Sequence, residues 1–159
     1  MTNRDKGTRY ALTPKGEEAT VTRQIKVYLA APFAMHESME KIAQAWVPRG
    51  VSVCSTWHIG VTGPERLPEH TNPDVRFAIG ANDRDLAAAD ALVAFPVPGE
   101  GGEMFCEITR ALIDRKPVIW AGERRILSTF RPGVLLCGRE NVFELLRQIC
   151  IDRGFRVPT

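Results

Sequence analysis

The stretch from Ala89 to Trp120, ADALVAFPVPGEGGEMFCEITRALIDRKPVIW, constrains the fold of this chain more than any other part of it. Ala91 to Phe95 and Pro117 to Trp120 are short, uninterrupted apolar runs, the pattern of strands buried on both faces. Between them Pro96 to Gly102 make a glycine-rich loop, and helical spacing follows, so the stretch reads as a βαβ unit. One carboxylate, Glu107, falls in the first turn or so of the helix that leaves the loop. In open α/β sheets ligands sit beyond the carboxyl ends of the strands, where loops and helix N-termini face a crevice, so a carboxylate there is a candidate for chemistry.

The rest of the chain keeps the same alternation. IKVYLAA, from Ile25, is a β-rich run that ends in small residues before Pro32, as a buried parallel strand would. Met39, Ile42, Ala43 and Trp46 recur at helical spacing over His36 to Val47, and Pro48 with Gly50 stop the pattern. Val51 to Cys54 gives a second strand, followed by a long proline-bearing segment, Ser55 to Pro73, of a length more typical of a lid or binding loop than of an idle connection. A second helix runs from Pro73 or Asp74 to Ala89, with Ala78, Asn82, Leu86 and Ala89 on one face. After Trp120, AGERRILSTF suggests a loop and a short helical turn, Val134 to Cys137 a fifth strand, and Gly138 to Ile151 a closing helix carrying Val142, Leu145, Leu146 and Ile149. About five strands alternating with helices predict a three-layer α/β/α sandwich around a mostly parallel sheet. Residues 1 to 23, polar and broken by Gly7, Pro14 and Gly16, read as a mobile tail, leaving 24 to 159 as one domain.

Composition removes several classes of function. The 159 residues are 44% hydrophobic, enough for one core, and a net charge of +2 without clustered Lys/Arg argues against a nucleic-acid polymer as partner. Cys54, Cys106, Cys137 and Cys150 are scattered, with no CxxC pair, and read as reduced core thiols of a cytoplasmic protein. His36, His58 and His70 show no ligand spacing, so no metal is expected. No apolar stretch approaches the ~20 residues that span a bilayer, and the N-terminus has no apolar signal core, so neither membrane association nor secretion is indicated.

Candidate chemistry centres on the loop and its helix. Near a helix start, the Glu107 carboxylate would meet free backbone N–H groups and the positive end of the dipole, which favour its ionised form. An ionised, positioned carboxylate can attack a sugar's anomeric carbon, as in retaining glycosidases, although a solvated first-turn glutamate has the same position. Glu103, nearer the helix start, competes for either role. Gly99, Gly101 and Gly102, around Glu100, let backbone approach a ligand or simply make a flexible turn. Asn82, Asp83 and Asp85 precede the strand that feeds the loop, and a second carboxylate there could protonate a leaving group, the alternative being a solvated helix face. Tyr28, in the middle of an aliphatic strand, needs a hydrogen-bond partner for its phenol, and Glu107 should lie beside the end of a neighbouring strand. Phe33, Trp57 and His58 follow the first two strands, where they either stack on a planar base or cap the core.

Taken in order, KVYLAAPF, DLAAADALVAFP, EITRAL and KPVIWAG resemble the nucleoside 2-deoxyribosyltransferase-like family, which includes nucleoside 5'-monophosphate N-glycosidases, over Ile25 to about Phe143. The resemblance implies a flavodoxin-like or Rossmann-like fold that cleaves the bond between a base and (deoxy)ribose, with Glu107 as nucleophile and Tyr28 holding its carboxylate. It also implies a substrate loop that includes Ala31 and Phe33, no metal or organic cofactor, a nucleoside or nucleotide and a free base as small-molecule partners, and a homodimer or larger assembly. Substrate contacts would extend to Trp57, His58, Gly101, Gly102 and Glu103.

The chain departs from the family pattern at three places. The helix-two aspartate falls on Asn82, with Asp83 one place away, and an amide cannot donate a proton as a carboxylic acid does. The glycine loop is one residue longer before Glu107. PFAMHE and PGEGGE lack the Ser/Thr and Arg side chains of phosphate-accepting members, and Glu100 and Glu103 would repel a phosphate, which favours nucleosides over nucleotides. A hydrolase for nucleoside monophosphates and a non-catalytic module that senses a nucleotide-derived ligand are the alternatives; a dinucleotide oxidoreductase is disfavoured because no GxGxxG turn follows the first strand.

Overall fold

The computed structural model describes residues 22–59, 73–100, 102–123 and 131–159, with the backbone alone over 73–79. Within these residues the strands are β1 (Lys26–Ala30), β2 (Ser52–Val53), β3 (Ala91–Ala94), β4 (Val118–Ala121) and β5 (Val134–Cys137). The helices are α1 (His36–Trp46), α2 (Pro73–Ala88), α3 (Gly102–Ile113) and α4 (Val142–Arg153). All strand pairs are parallel, in the order β2-β1-β3-β4-β5. This is a three-layer α/β/α sandwich with flavodoxin-like strand order, and its topological switch point lies between β1 and β3.

Burial explains why the three central strands read as plain apolar runs. ALVA of β3 and VIWA of β4 are buried throughout, and β1 is buried after Lys26, because helices cover both faces. On one face Val27, Leu29, Val93, Ile119 and Ala121 pack with Met39 and Trp46 of α1 and with Val142, Leu146, Ile149 and Cys150 of α4. On the other, Tyr28, Ala30, Leu92, Ala94, Val118 and Trp120 pack with Leu86 of α2 and with Met104, Ile108 and Ala111 of α3. The β1, β3 and α3 elements that meet on this second face carry the candidate chemistry.

The sheet edges are less regular than the periodicity implied. β2 has only two residues, and the next rung is made by a side chain: the Leu29 N–H donates to the Ser55 hydroxyl at 3.1 Å. The closing helix starts at Val142 rather than Gly138, because Gly138 is extended and Arg139–Asn141 form a tighter 3-10 turn. Arg23, assigned to the tail, is held: its guanidinium donates to both Asp90 carboxylate oxygens at 2.6 and 2.7 Å and lies 4.8 Å from the Phe155 ring centre. The Lys26 N–H adds a 2.8 Å bond to the same carboxylate. Burial alone would raise the Asp90 pKa, but these bonds outweigh it and hold the group below its ordinary value.

The four cysteines are free, as expected, but only Cys150 is a core residue. Cys106 is exposed, since it falls on the outer face of α3, and Cys54 and Cys137 are half-buried at strand ends. No helix among the described residues is long and apolar enough to cross a membrane. The remainder of the tail, most of the Ser55 to Pro73 segment including Pro64, Pro68 and His70, Gly101, and most of AGERRILSTF lie outside the described residues.

Candidate functional site

The apolar stripe of α3 runs through Met104, Ile108 and Ala111, and Glu107 falls on that stripe because it is three residues from Met104 and four from Ala111. A carboxylate on a core-facing stripe needs a polar partner, and Tyr28 supplies it. The phenol donates to Glu107 Oε1 at 2.6 Å, the length of a bond to a charged acceptor. Tyr28 is fully buried, whereas Glu107 is partly exposed, so the carboxylate stands between the buried phenol and solvent.

This corrects the electrostatic expectation from the sequence. Glu107 lies five residues beyond Gly102, the first residue of α3, so it sits in the second turn, away from the free N–H groups. The first-turn acid is Glu103, which is exposed. Burial raises the Glu107 pKa, the Tyr28 hydrogen bond pulls it back in part and the charge of Glu103 adds to the rise, which together leave it pushed up to about 7. Tyr28 is held well above the ordinary phenol range by its own burial and then by the charges of Glu107 and Asp85, so it stays a donor.

Helix α2 contributes Asp85 to this environment. Its Oδ2 accepts from the Thr56 N–H at 2.9 Å and from the Thr56 hydroxyl at 2.6 Å, which joins α2 to the loop after β2. Asp83 is exposed and points away, so of the two carboxylates near Asn82 it is Asp85 whose charge reaches Tyr28. Asn82, half-buried, lies one helical turn closer to the N-terminus of α2 on the same side as Asp85. Lys116, which opens the KPVIWAG string, has a structural part: its ammonium donates to the carbonyls of Leu86, Ala87 and Ala89 at 2.6, 2.8 and 2.8 Å. It closes the C-terminus of α2, where the orphan carbonyls and negative dipole end favour a cation, and so fixes the helix that holds Asp85.

The loop aromatics divide. Phe33, half-buried in the turn after β1, stacks on His36 with ring centres 5.4 Å apart, beside half-buried Ala31. Trp57 donates its indole N–H to the Leu29 carbonyl at 2.7 Å and packs against both core clusters. His58 is 1% exposed, with Nε2 3.2 Å from the Ser55 hydroxyl, so it cannot stack on a ligand and instead caps the core. Its burial lowers its pKa from the ordinary imidazole value.

The glycine loop borders a cavity of about 780 Å³ lined by Pro96 to Glu100, Gly102, Phe105, Trp120, Gly122, Glu123 and Arg139. It opens on the β4 side of the loop, while Glu107 and Tyr28 face β1, so the loop has a ligand-sized space on one side and the carboxylate on the other. Phe105 stacks on Trp120 along one wall, with ring centres 6.2 Å apart. Gly122 is required at the floor, since a Cβ there would come within 2.8 Å of Pro96 Cγ. The sequence pointed to the loop but gave no sign of this cavity, because its far wall comes from β4 and from Arg139, distant in the chain.

No protein-family model matches the chain, and no curated protein matches it.

Proposed function

We propose that the chain cleaves the N-glycosidic bond of a nucleoside, preferentially a 2'-deoxynucleoside, through Glu107. The observation that carries this reading is the 2.6 Å Tyr28–Glu107 bond: a partly open carboxylate, oriented by a buried phenol, beside the switch point of the sheet. Its resemblance-bearing strings, KVYLAAPF and EITRAL, contain Tyr28 and Glu107 respectively. In the reaction, Glu107 Oε2 forms a bond to the anomeric carbon as the bond to the base nitrogen breaks, and the departing base takes both electrons of that bond and a proton from solvent water. Water or a second free base then attacks the same carbon and gives up a proton to solvent, and Glu107 leaves as the carboxylate. Asn82 offers an amide to the edge of the base. Glu100 and Glu103 at the loop disfavour a 5'-phosphate, which separates this reading from a nucleoside-monophosphate hydrolase.

Incubation with nucleosides, 2'-deoxynucleosides and their 5'-monophosphates, each with and without a second base, tests the proposal by chromatography. Release of free base supports cleavage, and a new nucleoside in the presence of the second base identifies transfer. A panel in which every substrate survives, with protein shown to be folded, would remove it. The cavity on the β4 side of the glycine loop favours one other reading, a ligand-sensing module without turnover. That reading expects a nucleoside or nucleotide to raise the melting temperature without being consumed.

A further inference from the structure

The run PVPGE that leaves β3 builds a fixed wall for the cavity on the β4 side of the glycine loop. The Glu100 N–H donates to the Val97 carbonyl at 3.2 Å, with Pro98 and Gly99 between them. Pro98 sets the first corner and Gly99, at φ +82°, the second, which makes a type II turn. The turn is therefore shaped by its own residues before any ligand arrives. Pro96 is seated just as firmly, in the space that a Cβ on Gly122 would need, 2.8 Å from Pro96 Cγ.

The aromatic wall is held as well. Trp120 donates its indole N–H to Glu123 O at 3.2 Å, and half-buried Phe105 stacks on Trp120. The space of about 780 Å³ bounded by these parts is preformed and walled largely by carbon, the usual character of a small-molecule site. Neither Glu107 nor Tyr28 is part of its lining.

The charged side chains on the lining set the chemistry of a ligand. The Arg139 guanidinium makes one long bond, 3.4 Å to Pro96 O, and no ion pair among the described residues. Its other N–H groups form a planar fork suited to two neighbouring acceptors. Glu100, at the end of the turn, and Glu123, after β4, are acidic and exposed. An anion would meet the carboxylates and a cation the guanidinium, so a neutral ligand fits best.

We infer that this cavity binds a neutral, flat heterocycle whose edge carries a carbonyl oxygen between a ring-nitrogen acceptor and a ring N–H, the edge shared by 6-oxopurines and pterins. Arg139 donates to the carbonyl oxygen and the ring nitrogen, as it does to the same pair of atoms on guanine, and Glu100 accepts from the ring N–H. The face of the ring lies on Phe105. Adenine reverses the edge: its amino group would turn a donor toward the fork. A ring in this cavity is held and not cleaved, because Glu107 lies across the glycine loop. The inference goes beyond the glycosidic reading and does not depend on it, since the ligand needs no sugar.

Titration calorimetry of the full chain with hypoxanthine, pterin and adenine tests the site. Hypoxanthine or pterin should bind one to one, the tighter of the two identifying the ring, and adenine should bind about tenfold or more weakly. Arg139→Lys keeps the charge but not the fork and should weaken the favoured ring by about tenfold or more. Phe105→Leu removes the stacking face and should weaken it by roughly fivefold. Both variants should keep the circular dichroism spectrum of the parent, and Glu107→Gln should bind the ring as the parent does. Absence of binding by both hypoxanthine and pterin at millimolar concentration, adenine bound equally well, indifference to Arg139→Lys or to Phe105→Leu, or loss of binding in Glu107→Gln would each overturn the inference.

Discussion

A carboxyl group buried against a phenol is poised between two charge states, and for Glu107 the balance falls near pH 7. A nucleophile must be ionised, so kcat/KM for base release should rise with pH through about 7 and level off above it. Tyr28→Phe removes the bond that lowers this pKa, and the rise should then move to higher pH with a loss of roughly tenfold to a hundredfold at pH 7. A tyrosine that only filled space would leave the pH profile where it was. Stability carries the opposite sign. Because the folded pKa of Glu107 lies above the ordinary carboxylate value of 4.5, the native state binds the proton more tightly, and the group costs stability as pH rises from about 4.5 to about 7. The full cost above that window is on the order of 3 kcal/mol. Glu107→Gln keeps an acceptor for Tyr28 without the charge, so it should melt higher than the parent at pH 8, with the difference vanishing below pH 4.5, while turnover is lost. Equal melting temperatures at both pH values would argue against a desolvated carboxyl group.

At the scale of elements, α2 is held at its C-terminus by a side chain from the start of β4. Lys116→Met keeps the aliphatic stem but removes three charge-assisted bonds to the last carbonyls of the helix. A loss of ~2 kcal/mol in urea unfolding is expected, together with faster amide exchange in the last turn of α2. A change confined to the surface, under about 0.5 kcal/mol, would mean the cap is idle. The same scale shows what the sequence made legible. β3, β4 and β5 were readable to within a residue because buried strands are uninterrupted apolar runs, and α3 was readable because glycines precede its Met104, Ile108 and Ala111 stripe. Glu107 and Tyr28 stood out as polar residues in apolar patterns, and the geometry brings them into contact. What the chain did not disclose depends on contacts between distant segments. Asp83 and Asp85 are equivalent by composition, and only the Thr56 clamp shows which faces the sheet. His58 looks like a loop aromatic until Ser55 and the core enclose it. The pKa of Glu107 follows from burial in the second turn, a matter of one or two residues in the helix start.

For the whole molecule, the parallel sheet places the two sides of the glycine loop in different surroundings: the Tyr28–Glu107 pair toward β1, and a cavity walled by Phe105 and Trp120 toward β4. The proposed chemistry requires that sugar be carried on the first side, covalently, between loss of one base and arrival of water or another. Rapid acid quenching of the protein with a cleaved 2'-deoxynucleoside, followed by peptide mass spectrometry, tests that requirement directly. The account predicts an added deoxyribosyl unit on the peptide containing Glu107, absent from Glu107→Gln. Base release that proceeds undiminished in Glu107→Gln, or an adduct that maps to a different residue, would contradict it.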